Sequence, residues 1–131
     1  MNEKERQEIL DFIAHFKGAE DVFLHGCCYW FAWILQERFN ELGFLVDIFH
    51  DPVEGHFVAR FIPDTYCYPY PDAPVYFFDI RGDVTHLYNE DDLENMWVMD
   101  NSEPRRCARL MMSCKWFIET NSDKYPYWLK G

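Results

Sequence analysis

The chain has 131 residues, 49% hydrophobic and 19% aromatic, which is enough for one domain with a bulky core and no disulfide staples. A formal net charge of −11 repels phosphate and argues against direct nucleic-acid binding. No apolar run is long enough for a membrane-spanning helix, and the opening MNEKERQEIL is charged where a secretory signal is apolar.

Five cysteines, an odd number with Cys27 and Cys28 adjacent, fit unbridged thiols in a reduced cytoplasmic compartment better than a disulfide framework. Residues 2–17 predict a helix, because Ile9, Phe12, Ile13 and Phe16 fall at i, i+3, i+4 and i+7, and Gly18 stops it. Residues 21–26 then read as a loop. A second helix starts at or just before Cys28 and runs to about Leu42, with Cys28, Phe31, Ala32, Leu35, Phe39 and Leu42 as its buried stripe and Gly43 as its stop.

Strand signals follow. FLVDIFH (44–50) and HFVARFI (56–62) are rich in β-formers and flank the turn DPVEG (51–55). VYFFDI (75–80) is apolar on both faces apart from Asp79, which predicts a central strand. RGD (81–83) predicts a turn and VTHLY (84–88) a short fourth strand. Between the second and third strands, PDTYCYPYPDAP (63–74) holds four prolines and three tyrosines. It reads as a stiff extended loop, either overhanging a site or decorating a hairpin.

Asn89 is placed to cap a short helix through Met96. Ser102 is placed to cap a last helix with Pro104 near its first position and Cys107, Leu110, Met111, Cys114, Phe117 and Ile118 as its apolar stripe. Residues 121–131 read as a tail. The order α, α, β, β, β, (β), α, α predicts an α+β fold: one domain over 1–131, with an antiparallel sheet of three to four or more strands packed against the helix carrying Cys28 and a C-terminal helix.

A thiol is a nucleophile only as thiolate, and a helix N-terminus lowers a cysteine pKa. Cys28 is predicted at such a terminus, after a glycine that lets a substrate approach the backbone. A base is needed, and His56 opens a strand directly after Gly55. An orienting group is needed too, and Asp79 is a lone carboxylate in an apolar strand, costly unless paired. Cys28, His56 and Asp79 thus form a candidate nucleophile, base and orienter.

Gly26-Cys27-Cys28-Tyr29-Trp30-Phe31-Ala32 resembles the nucleophile helix of papain-like cysteine proteases: glycine, one residue, cysteine, an aromatic, one residue, phenylalanine. GHFVARF and YFFDIRGDV resemble the transglutaminase-like and NlpC/P60-like branches, with histidine on a strand and a polar residue on the next. Small phage and bacterial proteins carry a similar pattern. The resemblance implies a compact papain-like core and a thiol hydrolase or transferase acting on an amide or peptide bond, with a protein or peptide substrate and no cofactor. It implies Cys28, His56 and Asp79 as the catalytic set, with His25, Gly26, Cys27 and Tyr29 lining the site. Spacings of 28 positions (56 − 28) and 23 positions (79 − 56) exclude the large two-lobed protease fold. No glutamine stands just before the motif to complete an oxyanion hole, so His25 or a backbone amide has to serve.

Blander readings accompany these. Cysteine on an apolar helix face is often a small hydrophobe. His25, Cys27, Cys28, His50 and His56 are soft metal ligands, but adjacent cysteines do not match zinc-hairpin spacing, and no metal is expected. His15, His50 and His86 are expected at the surface. Arg105, Arg106 and Arg109 read as a solvated basic patch. The charge of −11 also allows a second class of protein, an acidic non-catalytic binder or inhibitor of phage or mobile-element type that engages a basic host partner.

Overall fold

Asn2 starts the first helix because its side-chain oxygen accepts the amide of Glu5 at 2.8 Å while the Glu5 carboxylate accepts the amide of Asn2 at 3.0 Å. This reciprocal box satisfies two otherwise orphaned donors. The computed structural model describes residues 1–24, 27–62, 74–97 and 102. Helix α1 (Glu3–Ala14) buries Ile9, Phe12 and Ile13 as predicted, then leaves α geometry through a turn ending at Gly18. The segment expected as a loop holds a short helix, α2 (Glu20–Leu24). Phe23 explains it: this side chain is fully buried, with its ring centroid 5.9 Å from Phe16 and 4.9 Å from Phe31. Tertiary burial, not local periodicity, orders these five residues.

Helix α3 (Cys28–Glu41) buries Cys28, Tyr29, Phe31, Ala32, Ile34, Leu35 and Phe39. Leu42, expected in the stripe, is 47% exposed, because it is the C-cap and the chain has already left the helix. Two side chains of α3 tie it to the first strand. Gln36 donates to the carbonyl of Val46 at 3.1 Å, and Asn40 accepts the amide of Val46 at 3.0 Å.

The fold is α+β with a five-stranded antiparallel sheet. Its strands are β1 (Leu45–Asp51), β2 (His56–Ile62), β3 (Tyr76–Asp79), β4 (Gly82–Asp83) and β5 (Glu94–Asn95), in the order β4-β3-β2-β1-β5. The middle strand is therefore β2, whereas β3, predicted as central, has only the two-residue β4 beyond it. The register runs from Leu45 opposite Ile62 to Asp51 opposite His56.

Two sequence expectations fail at the sheet edges. Strand β4 lies over Gly82–Asp83 rather than 84–88, and Thr85–Leu87 forms a 3-10 turn. Thr85 takes over the ladder here: its hydroxyl accepts the amide of Phe77 at 3.0 Å and donates to Asp83 at 2.6 Å. Asn89 caps as expected, accepting from the Asp91 amide at 3.1 Å, but only a 3-10 turn (Glu90–Asp92) follows. Glu94 and Asn95 then pair with His50 and Phe49, because the edge of β1 offers backbone groups that need partners.

The main core lies between the helices and one sheet face. Phe12, Phe16, Phe31, Phe39, Phe61 and Phe78 form a chain of edge-to-face contacts there, such as Phe16–Phe31 at 5.2 Å and Phe61–Phe78 at 5.1 Å. A smaller cluster of Phe49, Val58, Phe77 and Val84 lies on the opposite face. The predicted final helix, its cysteine stripe and arginine patch, and the tail lie outside the described residues, as do residues 63–73.

Candidate active site

Three of the residues singled out by sequence meet at one end of the sheet. Cys28 is the first residue of α3, and Cys27 is its N-cap, whose side chain makes no capping hydrogen bond. His56 is the first residue of β2, reached through Gly55, whose φ of +68° is a conformation natural to glycine. Asp79 is the last residue of β3. The register places Phe78 opposite Ala59, so Asp79 stands beside Val58, on the same face as His56 and one diagonal step away. The Nε2 atom of His56 and Oδ2 of Asp79 are 2.9 Å apart. The imidazole also hydrogen-bonds the Cys28 side chain. His56 opens β2 and Cys28 opens α3, so the two element starts come together here.

The charges are mutually arranged. Burial alone would depress the His56 pKa, but the bonds to Asp79 and Cys28 outweigh it and raise the pKa to about 9. Burial alone would raise the Asp79 pKa, but the bonds from His56 and Arg81 hold the carboxyl below its ordinary value. The neighbouring thiol behaves oppositely: burial, and then the charge on Cys28, push Cys27 up to about 12. Cys27 is fully buried and is kept a neutral thiol, a poor nucleophile. Neither cysteine is disulfide-bonded.

Tyr29 is buried and packs edge-to-face on Phe57 at 5.2 Å, so it supports the start of α3 from the core. His25 and Gly26 lie outside the described residues. His15 and His86 are exposed as expected. His50 is not: it is 3% exposed, because β1 alternation aligns it with Val46 and Ile48 on the helix-facing side. Its Nδ1 lies 3.2 Å from Glu94 Oε1, and its ring packs 4.6 Å from Phe57. Among the described residues, no group of three or more His, Cys, Asp or Glu side chains is arranged to hold a metal ion.

Sequence reasoning missed Arg81. Its guanidinium contacts Asp79 Oδ2 through Nη2 at 2.5 Å and Nε at 3.0 Å, and its backbone amide donates to Asp79 Oδ1 at 2.7 Å. The signal available is an arginine two positions after a strand carboxylate, which by itself reads only as turn chemistry. Arg81 and Tyr88, 3.1 Å apart through Nη2 and the hydroxyl, line a cleft of about 530 Å³ with Asp51, Val53, Glu54 and Leu87.

No family model matches the chain, and no curated protein and no solved structure matches it.

Proposed function

We propose that the protein is a thiol-dependent hydrolase or transferase acting on an amide or peptide bond, on a compact papain-like core. The observation that carries this reading is the hydrogen-bonded sequence Cys28, His56, Asp79, formed from a helix start and two adjacent strands. An imidazolium beside a sulfur favours thiolate over thiol. In the reaction, Cys28 Sγ bonds to the carbonyl carbon and the C=O π pair moves onto oxygen. The start of α3 carries the positive end of the helix dipole, which favours that developing negative charge. His56 gives its proton to the leaving amine as the C–N bond breaks, leaving a thioester. It then takes a proton from water or an acceptor amine, which attacks the thioester and returns the thiolate. Asp79 holds the ring and stabilises its charged form.

Alkylation by iodoacetamide at mildly acidic to neutral pH is the test. Cys28 is expected to react faster than a peptide thiol, and His56→Ala to abolish the advantage. A Cys28 rate equal to that of a peptide thiol and unchanged in His56→Ala overturns the reading. Asp79→Asn, which mispositions the imidazole, is expected to lower turnover of an amide substrate by roughly 10²- to 10⁴-fold.

The net charge of −11 supports a second reading, an acidic binder of a basic protein. A salt-sensitive complex with a basic partner that persists in Cys28→Ala favours that reading over catalysis.

A further inference from the structure

The carboxylate of Asp79 is more heavily engaged than orienting a histidine requires. Its side chain is 4% exposed and accepts from the His56 ring, from Nε and Nη2 of Arg81 and from the Arg81 backbone amide. The same Nη2 of Arg81 also donates to the Tyr88 hydroxyl at 3.1 Å. We propose that Arg81 is a positioning residue for the triad, fixing the Asp79 rotamer and keeping this buried carboxyl an anion while the Cys28–His56 pair titrates. The proposal rests on the thiol-hydrolase reading of that pair.

The physical case begins with desolvation. A buried carboxylate without a cation protonates rather than staying charged. A protonated Asp79 offers His56 Nε2–H only a neutral acceptor, which supports imidazolium weakly. With Arg81 present, the charges alternate along one line: guanidinium, carboxylate, imidazolium, thiolate. They sum to zero, so this end of the sheet holds two ion pairs without a net charge.

Among the described residues, Cys27 lies beside Cys28, Tyr88 lies beside Arg81 with Asp51 acting on it from β1, and Glu54 and Asp92 line the same cleft as Arg81. The direction of the Asp79 pKa agrees with the geometry, since His56 and Arg81 together overcome burial.

The experiment compares wild type, Arg81→Gln and Arg81→Lys. The Asp79 carboxyl is titrated by carbon-13 NMR on aspartate-labelled protein, and the Cys28 alkylation rate is followed against pH. In Arg81→Gln the Asp79 pKa is expected to rise by about one unit or more, and the acid limb of the alkylation profile to move up with it. That amounts to a loss of about tenfold on the acid limb, with the rate near neutrality largely kept. Arg81→Lys keeps the charge but not the forked fit and is expected to fall between the two.

A purely structural Arg81 lowers the melting temperature of Arg81→Gln without moving either titration, and that result overturns the proposal. If Arg81→Gln does not fold, an Arg81→Lys protein that titrates like wild type overturns it as well. Failure of the catalytic reading looks different: Cys28 is then unreactive in the wild type, whereas the Asp79 titration still reads the hold of Arg81 directly.

Discussion

At the scale of single residues, adjacent cysteines have opposite fates. Cys27 and Cys28 differ by one position, yet one is sealed at the helix N-cap and the other meets an imidazole. Cys27 is accordingly expected to resist alkylation at neutral pH in folded protein, with peptide mapping after a short iodoacetamide pulse placing label on Cys28 and not on Cys27. The His56–Asp79 pair also predicts how stability depends on pH. His56 has a folded pKa raised from 6.5 to about 9, so its contribution is complete below 6.5 and is lost as pH rises through about 9. Asp79 has a folded pKa below 3.8, so its contribution is present above 3.8 and is lost as pH falls below it. Wild type is therefore expected to exceed His56→Gln in stability most between 3.8 and 6.5, by up to about 3 kcal/mol, with the gap closing toward alkaline pH. Thermal melts of both proteins across this range measure it. A gap that stays constant into alkaline pH contradicts the pair.

At the scale of elements, the site depends on where helix and strand ends are pinned. Phe31 is 1% exposed and packs on both Phe16 and Phe23, so it fixes the first turn of α3 against the turn after α1 and against α2. Phe31→Ala is expected to cost about 3–5 kcal/mol in denaturant unfolding, since the cavity adds to the lost burial. The turn between β3 and β4 is held differently. Gly82 has a φ of +104°, and an added Cβ would meet the Leu10 side chain at 3.3 Å. Gly82→Ala is expected to destabilise by about 1–3 kcal/mol from backbone strain. Because this turn carries Arg81, the variant is also expected to slow Cys28 alkylation at acidic pH, which the same rate assay detects.

At the scale of the whole molecule, the charge of −11 sets what approaches the site. The cleft beside Arg81 adds Asp51, Glu54 and Asp92 to its walls. A lysine-rich peptide carrying a thiol-reactive group is expected to label Cys28 faster than a glutamate-rich one at low salt, by roughly tenfold. The difference should vanish near ~1 M salt, where the screening length is about 3 Å. Equal rates for the two peptides at low salt remove steering from the account. No helix among the described residues is long and apolar enough to cross a membrane.

The amino-acid order alone determined the local pieces and the chemical candidates. Helical periodicity located α1 and α3, β-former content located β1 and β2, and the cost of burying a lone carboxylate marked Asp79. Those signals are local, so they survive without knowledge of neighbours. Tertiary structure alone decided the rest. Which strand is central, why Phe23 sits in a short helix, why His50 is buried and where β4 and β5 lie all follow from backbone groups and side chains finding partners distant in sequence. The same holds for Arg81: its turn reads as surface until the fold packs Tyr88 against it and carries His56 to the carboxylate it grips.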